Sequence, residues 1–417
     1  MDIEKYVFDV VQKAKQASIA LGILPTEKKN SALCFIVDEI SKSSSKILDA
    51  NKKDINTCIK LKKPPAFIER LKLDKKTIDS MCGALIDIQK LNDPVGNIEN
   101  IKRMPNGLLI GKMHVPIGVV LIIYESRPNV TSDAAGLCLK SGNACILKGG
   151  KESINTNIAI DESLRKGLKK AGIDESAVQV VRTFDREAVD ILLKQNRYID
   201  LVIPRGGEGL IEEVIQKSRI PIIKHYKGVC NIFVDITADI QKSCKIIYNA
   251  KVQRPGVCNA VECVLIHKDI ANVILPDLSE LLFTAGVEIK GCDKTCSLVP
   301  KAKKAVQGDW GKEFLDLILA VRIVDSIDEA IKYIRRYGSS HSDAILTENY
   351  TNAMKFIREV DSACVYVNSS TRFTDGGQFG MGAEIGISTD KIHARGPMGL
   401  EEMTSYKYII LGEGQIR

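Results

Sequence analysis

The sequence predicts an α/β protein made of two consecutive parallel-sheet domains, and three observations carry that prediction. From Val115 onward, short β-rich apolar runs (GVVLIIYE, NACILKGG, AVQVV, IDLVIP, NIFVD) are separated by helical stretches of about a dozen or more residues. Near Asp235 a second series begins, with AVECVLIH, LAVRIVDS, SDAILT and SACVYVN as its strands. A chain of 417 residues with 45% hydrophobic content also exceeds what one core normally organises. Strands that alternate with helices form parallel β-α-β units with helices on both sheet faces, and a cleft between two such domains is the natural place for an active site.

Before that alternation the chain reads as helical over residues 1–95. The run Ile3–Leu21 has an amphipathic period, and the segments Ser31–Leu48 and Lys76–Leu91 repeat it. Two segments stand outside the rhythm. In IKRMPNGLLIGKMHVP, Pro105-Asn106-Gly107 supplies turn residues between two extended runs and predicts a β-hairpin. The tail SYKYIILGEGQIR holds a strand-like run with no helix to cover it. Both segments read either as surface decoration or, because apolar strands outside a main sheet usually need a partner edge, as a dimer-forming flap in which the tail pairs with the hairpin across a subunit interface.

Lys and Arg total 59 against 52 Asp and Glu, a net charge of +7 spread without a long single-sign run. That balance argues against nucleic acid as a partner and suits small anionic ligands. The 12 cysteines lack framework spacing and mostly sit in apolar runs such as LCLK and SACVYV, as small buried hydrophobes do. The start, MDIEKYVFDVVQKAKQ, is acidic early and helical in period, unlike a secretory signal, and no apolar stretch approaches the ~20 residues of a membrane span. A reducing, cytoplasmic compartment and no membrane are expected.

The most informative stretch is NAKVQRPGVCNAVECVLI. A helix predicted over about Asp239–Lys251 ends at Gln253-Arg254-Pro255-Gly256, and a strand starts near Ala260, which leaves Cys258 in the connecting loop. Arg254 beside it would favour a thiolate, and backbone or Asn259 amides could hold an oxyanion. A half-buried turn cysteine satisfies the same pattern. Cys263 falls inside the next strand and reads as packing. The Cys292/Cys296 pair lacks the further ligands of a zinc site, and the five histidines show no HExxH-type spacing, so no metal is expected. In VPIGVVLIIYESRPNVT and LKSGNACILKGGKES a strand ends in a polar loop that opens a helix, where α/β proteins place ligands. Asn129 and Lys148 sit at those exits, a pattern that turn residues and a solvated lysine satisfy equally. A third exit, IPRGGEGL, puts Arg205-Gly206-Gly207 at a helix start, although turn glycines are common and GxGxxG is absent.

Taken together, YESRPNVT, LKSGNACILKGGKES, YIDLVIPRGG, NAKVQRPGVCNAVE, YGSSHSDAIL, VNSSTRFTDGGQFGMGAEIGIST and HARGPMGLE resemble, in order and over nearly the whole chain, the γ-glutamyl phosphate reductase (glutamate-5-semialdehyde dehydrogenase) family of the aldehyde-dehydrogenase superfamily. The resemblance implies an aldehyde-dehydrogenase-like fold: a Rossmann-like cofactor domain (1–100 and 116–234), an α/β catalytic domain (235–395) and a β oligomerisation flap (101–115 and 396–417). It implies Cys258 as nucleophile and Asn129 as oxyanion holder. It matches Lys148 to the lysine that contacts the adenosine ribose region of the cofactor, NADPH or NADP, and Gly149, Gly150, Ser153, Pro204, Arg205, Gly206 and Gly207 at the strand exits are candidates to line the same cofactor. Arg127 and Arg254 are candidates to hold phosphate near the reacting carbon. Arg372 and Asp375 are candidates for the substrate's α-carboxylate and α-amino ends.

Aldehyde-oxidising relatives keep a glutamate shortly before the catalytic domain to activate water. Between Glu213 and Asp235 this sequence has no acidic residue, and Lys224-His225 occupies the expected place. The expected reaction is therefore NADPH-dependent reduction of γ-glutamyl phosphate to glutamate 5-semialdehyde, with release of phosphate, as the second step of proline biosynthesis. A coenzyme A-acylating aldehyde dehydrogenase and a catalytically silent homologue are the alternatives. A homo-oligomer, dimer or tetramer, is expected, and a separate glutamate 5-kinase would supply the acyl phosphate.

Overall fold

Asp2 opens the first helix by accepting a hydrogen bond from the Lys5 backbone N–H at 3.1 Å, and α1 runs Ile3–Leu21. The computed structural model describes residues 2–125, 127–224 and 227–417. Four more helices follow: α2 (Thr26–Lys42), α3 (Ser44–Lys60), α4 (Pro65–Leu71) and α5 (Lys75–Lys90). The segment expected as one helix over Ser31–Leu48 is thus two, divided at Ser43, where the run Ser43-Ser44-Ser45 offers side-chain hydroxyls that compete with the helical backbone pattern.

The chain divides into two units: Met1–Lys224 with Gly380–Gly386 and Met398–Arg417, and His225–Phe379 with Ile387–Pro397. The first unit contains β1 (Ile98–Arg103), β2 (Leu109–Pro116), β3 (Val119–Tyr124), α6 (Asn129–Lys140), β4 (Ala144–Gly149), α7 (Ile154–Lys170), β5 (Val178–Val180), α8 (Arg186–Leu192), β6 (Leu201–Arg205) and α9 (Glu208–Lys217). A parallel sheet has the order β5-β4-β3-β6. The chain moves outward from β3 to β5 and then returns to the other side of β3, so the connections after β3 and β6 diverge and open a crevice at the carboxyl edge. Val7, Val10, Val11 and Ala14 of α1 form one core with Val119, Leu121 and Ile146 of this sheet.

The second unit contains β7 (Cys230–Val234), α10 (Ile240–Val252), β8 (Val261–His267), α11 (Lys268–Thr284), β9 (Glu288–Gly291), α12 (Asp293–Leu298), β10 (Lys303–Lys304), β11 (Ile318–Val324), α13 (Ile327–Tyr337), β12 (Ser342–Leu346), α14 (Tyr350–Glu359) and β13 (Cys364–Val367). Its seven strands are all parallel, in the order β10-β9-β11-β8-β7-β12-β13. The run NIFVD, expected in the first series, is β7 and pairs with β8 and β12, so it belongs to this sheet. The predicted strands AVECVLIH, LAVRIVDS, SDAILT and SACVYVN are β8, β11, β12 and β13.

Short β14 (Gly386–Ser388) and β15 (Gly396–Met398) precede the last strand, β16 (Thr404–Leu411). The predicted hairpin is present as antiparallel β1 and β2, and β16 pairs with β2 along its whole length, from Thr404 opposite Pro116 to Leu411 opposite Leu109. That pairing lies within one chain. The expectation that the tail would pair with the hairpin across a subunit interface is corrected accordingly. Among the described residues no helix is long and apolar enough to cross a membrane.

One close approach fixes the helical layer over the first sheet. A Cβ on Gly167 in α7 would lie 2.5 Å from Ile36 Cγ1 and 2.7 Å from the Ile36 Cα of α2, so only glycine lets the two backbones meet. Gly167→Ala is expected to destabilise the protein by roughly 1–3 kcal/mol. Chemical denaturation checks it, and an unchanged midpoint would show that α2 and α7 can separate without penalty.

Candidate active site

Cys258 lies in the loop between α10 and β8, as the pattern of the sequence predicts, and is half-buried. Because β8 begins at Val261, the loop stands at the amino edge of the second sheet, not at the carboxyl edge where parallel sheets usually hold ligands. Gly228, just ahead of β7, packs directly on it: a Cβ there would fall 2.1 Å from the Cys258 carbonyl oxygen and 2.5 Å from its Cα. Cys230 Sγ donates to the same carbonyl at 3.2 Å.

Two braces hold this loop. Behind it, Lys251 Nζ of α10 donates to Glu262 Oε2 of β8 at 2.7 Å, with both side chains essentially sealed from solvent. Burial pushes the Glu262 carboxyl up to about 7 and the Lys251 amine down, and their mutual contact opposes both shifts. In front of it, Arg372 donates through Nη1 to Asn259 Oδ1 and through Nε to Gln253 Oε1 at 3.0 Å. Asn259 Nδ2 donates to the Thr374 carbonyl at 2.7 Å, and the Asn259 carbonyl accepts from Thr371 Oγ1 at 2.8 Å. Both ends of the Asn259 side chain are therefore engaged with the Thr371–Thr374 turn. This corrects the expectation that its amide holds an oxyanion.

The structure brings Arg254, Arg372 and Cys258 into one electrostatic neighbourhood. The Arg372 guanidinium is lowered by burial and then by the like charge of Arg254, while Asp375 and Cys258 act to raise it. Asp375 shapes the adjoining turn: its Oδ1 accepts from the backbone N–H groups of Gly377 at 3.0 Å and Gln378 at 3.3 Å.

The remaining candidates belong to the first unit and share the carboxyl edge of its sheet. Arg127 and Asn129 follow β3, Lys148, Gly149, Gly150 and Ser153 follow or end β4, and Pro204, Arg205, Gly206 and Gly207 end or follow β6. The Glu125 backbone N–H donates to the Arg205 carbonyl at 3.0 Å, which ties the first and third exits together. A Cβ on Gly149 would meet Asn157 Nδ2 at 2.1 Å, and one on Gly206 would meet the Glu125 carboxyl carbon at 2.8 Å. Lys148 is buried and donates to the Gly149 carbonyl at 3.0 Å. Ser153 Oγ donates to the Gly150 carbonyl at 3.2 Å. The Arg205 side chain lies against Gly386. His225 lies outside the described residues.

Sequence reasoning passed over Asp133. Asn129 Nδ2 donates to Asp133 Oδ2 at 3.1 Å, one turn along α6, and Ser132 Oγ reaches the other carboxylate oxygen at 3.3 Å. A carboxylate can only accept, so this contact fixes which end of the Asn129 amide faces it and directs the second N–H away. The signal was available as an Asn and an Asp at i, i+4 in a helix's first turns.

Residues 4–305 match the aldehyde dehydrogenase family. A γ-glutamyl phosphate reductase of Thermoanaerobacter pseudethanolicus is 57% identical over 412 residues, covering 98% of this chain and 100% of that one. Among solved structures, the γ-glutamyl phosphate reductase of Thermotoga maritima superposes with a TM-score of 0.97 at 45% identity, over 99% of both chains. An acetylating aldehyde dehydrogenase from Geobacillus thermoglucosidasius shares the fold, with a TM-score of 0.71 at 14% identity over 100% of this chain and 98% of that one.

Burial raises the Asp133 carboxyl from its ordinary 3.8 to about 6, with the Asn129 and Ser132 hydrogen bonds opposing. The folded state thus binds this proton more tightly than the unfolded chain, and stability falls as pH rises through that interval. Asp133→Asn keeps an acceptor but cannot ionise. Its melting temperature relative to wild type should rise more at pH 8 than at pH 5, and a difference that is the same at both values would contradict the assignment.

Proposed function

Since the chain belongs to the aldehyde dehydrogenase family and, within it, to the γ-glutamyl phosphate reductases, enzymes equally named glutamate-5-semialdehyde dehydrogenases, we propose that it reduces L-glutamate 5-phosphate to L-glutamate 5-semialdehyde through a thioester on Cys258. In proline biosynthesis this is the second step, fed by a separate glutamate 5-kinase. The observation that carries the reading is the placement of Cys258 in a braced loop beside Arg254 and Arg372. Cations there favour the thiolate and suit the anionic ends of an acyl phosphate.

The thiolate attacks the γ-carbonyl carbon, the acyl C–O bond breaks, and phosphate departs with the electron pair. Asn129, oriented by Asp133, is the candidate donor to the oxygen that becomes negative in that step. Arg127 and Arg254 are the candidates to hold the departing phosphate, and Arg372 with Asp375 the α-carboxylate and α-amino ends of the glutamyl group. A Cβ on Gly207 would meet nothing nearer than Glu125 Oε1 at 3.9 Å, which leaves room for close backbone approach at the exit of β6, and the buried Lys148 amine suits the adenosine ribose of a nicotinamide dinucleotide. When bound, such a cofactor would supply the hydride that turns the thioester into an aldehyde, with the C–S bond breaking and Cys258 leaving as its thiolate. Lys148 and Lys151 favour the 2′-phosphorylated form, NADPH. No acidic residue stands between Glu213 and Asp235 to activate water, so the thioester is protected from hydrolysis.

Run in reverse, glutamate semialdehyde and NADP⁺ should give a burst of about one equivalent of NADPH per site without phosphate, and steady turnover that saturates with inorganic phosphate. Cys258→Ser should abolish both. Sustained turnover to free glutamate in phosphate-free buffer would overturn the reading, and turnover supported by coenzyme A in place of phosphate would favour the acylating alternative.

The flap reading rests on exposed apolar side chains. Tyr406, Tyr408 and Ile410 on one face of the β1-β2-β16 sheet, and Leu411, Ile98 and Ile101 on the other, are all exposed, apolar side chains that a second copy of the chain would cover. Ending the chain after Thr404 should convert the assembly to monomers. An unchanged sedimentation coefficient would rule out this sheet as the interface.

A further inference from the structure

Glu152 is the one carboxylate in the string LKGGKES, directly after the two lysines expected to face the adenosine ribose. A free carboxylate at a strand exit accepts from a ribose 2′-hydroxyl and repels a 2′-phosphate. In the structure Glu152 is not left to itself. Lys63, in the turn between α3 and α4, donates through Nζ to Glu152 Oε1 at 3.0 Å, although the two residues are 89 positions apart. The amine also lies 5.1 Å from the centre of the Phe67 ring, which gives it a second point of support. The Glu152 side chain is only 15% exposed and that of Lys63 32%, so the contact is partly shielded from solvent.

The same carboxylate acts electrostatically on Lys148 and is acted on by Lys151. Burial raises the Glu152 carboxyl, but the Lys63 contact, the residue's own backbone N–H and the charge of Lys151 together outweigh it and the net direction is down, which keeps the group ionised. Lys63 thus pairs with an acid whose charge Lys148 and Lys151 also feel. With Lys63 in place the negative charge is answered from the side, and the amine of Lys148 is left to meet a further anion. Without it, Glu152 would pair with Lys148 or Lys151 and would turn the exit toward a neutral ribose.

We propose that Lys63 is a specificity-determining residue: by holding Glu152 it makes the exit of β4 a site for a ribose 2′-phosphate. The inference rests on the placement of the adenosine ribose given above, and it adds a residue from a helical turn that no strand-exit pattern includes.

Direct binding separates the two ideas without relying on turnover. The full-length protein is titrated calorimetrically with adenosine 2′,5′-bisphosphate and with adenosine 5′-monophosphate, which differ only in the 2′-phosphate. Wild type should bind the bisphosphate more tightly, and equal affinities would overturn both the ribose placement and the role of Lys63. Lys63→Met should weaken the bisphosphate about five- to tenfold while leaving the monophosphate within about twofold, the size expected for one unscreened charge at a partly buried site. Adding Glu152→Gln to that variant should restore most of the lost affinity. If wild type prefers the bisphosphate but Lys63→Met weakens both probes equally, or neither, or if Glu152→Gln fails to rescue, the ribose placement stands and the role of Lys63 falls.

Discussion

The buried contact between Lys251 and Glu262 sets the conditions for the rest of the site. It joins the last turn of α10 to the second residue of β8, and Cys258 lies in the segment between them. Two ions sealed from water are a poor way to gain stability, since desolvation offsets much of their attraction. What the pair gives is register. An apolar contact could slide by part of a turn, whereas Glu262 must meet Lys251 with one oxygen while the other accepts from the Leu315 backbone N–H at 3.2 Å. With the loop's ends fixed, the Gly228 backbone can press against Cys258 from one side and the Arg372–Asn259 contact can hold it from the other.

A nucleophile at a strand entry needs such bracing more than one at a strand exit. At a carboxyl edge, the helix that follows each strand offers unpaired backbone N–H groups and a favourable dipole. The first unit uses that arrangement for its glycine-lined exits after β4 and β6. At an amino edge those aids are missing, and the second unit replaces them with guanidinium groups and side-chain amides: Arg254, Arg372, Gln253 and Asn259. The two sheets thus offer contrasting settings, one built from backbone for a ligand that must be approached closely, the other from side chains around a reacting sulfur.

Much of this was legible in the sequence where the signal is local. The change from helical to strand period near Ala260 placed Cys258 in a loop, and the turn residues Pro105-Asn106-Gly107 marked the hairpin. What stayed hidden depends on residues far apart. Arg372 and Asn259 are 113 positions apart, and Gly228 reads as an ordinary turn glycine until its neighbour is seen. Strand β9, EIKG, has too few apolar residues to announce itself, because its half-buried place in the sheet lets lysine and glutamate alternate with inward residues. NIFVD looked like the last strand of the first series because period alone cannot say which sheet a strand joins. The division of the second helix at Ser43 was missed for a related reason: the apolar stripe continues across the break.

The pairing of β16 with β2 has a consequence for how the chain is made. His114 in β2 and Thr404 in β16 are joined by a 3.0 Å hydrogen bond across 290 residues. At a synthesis rate of about 5–20 residues per second, β2 emerges from the ribosome on the order of tens of seconds before its final neighbour exists. During that wait β1 covers one edge and the other is open, a template on which the strand of another nascent chain could add. The second unit is encoded wholly inside this interval, so it can fold while the first is still missing its closing strand. Lys102 and Arg103 on β1 leave the unfinished hairpin with an excess of positive charge even though Glu99 faces Lys112 of β2, and repulsion between copies works against premature strand exchange until residues 404–411 arrive.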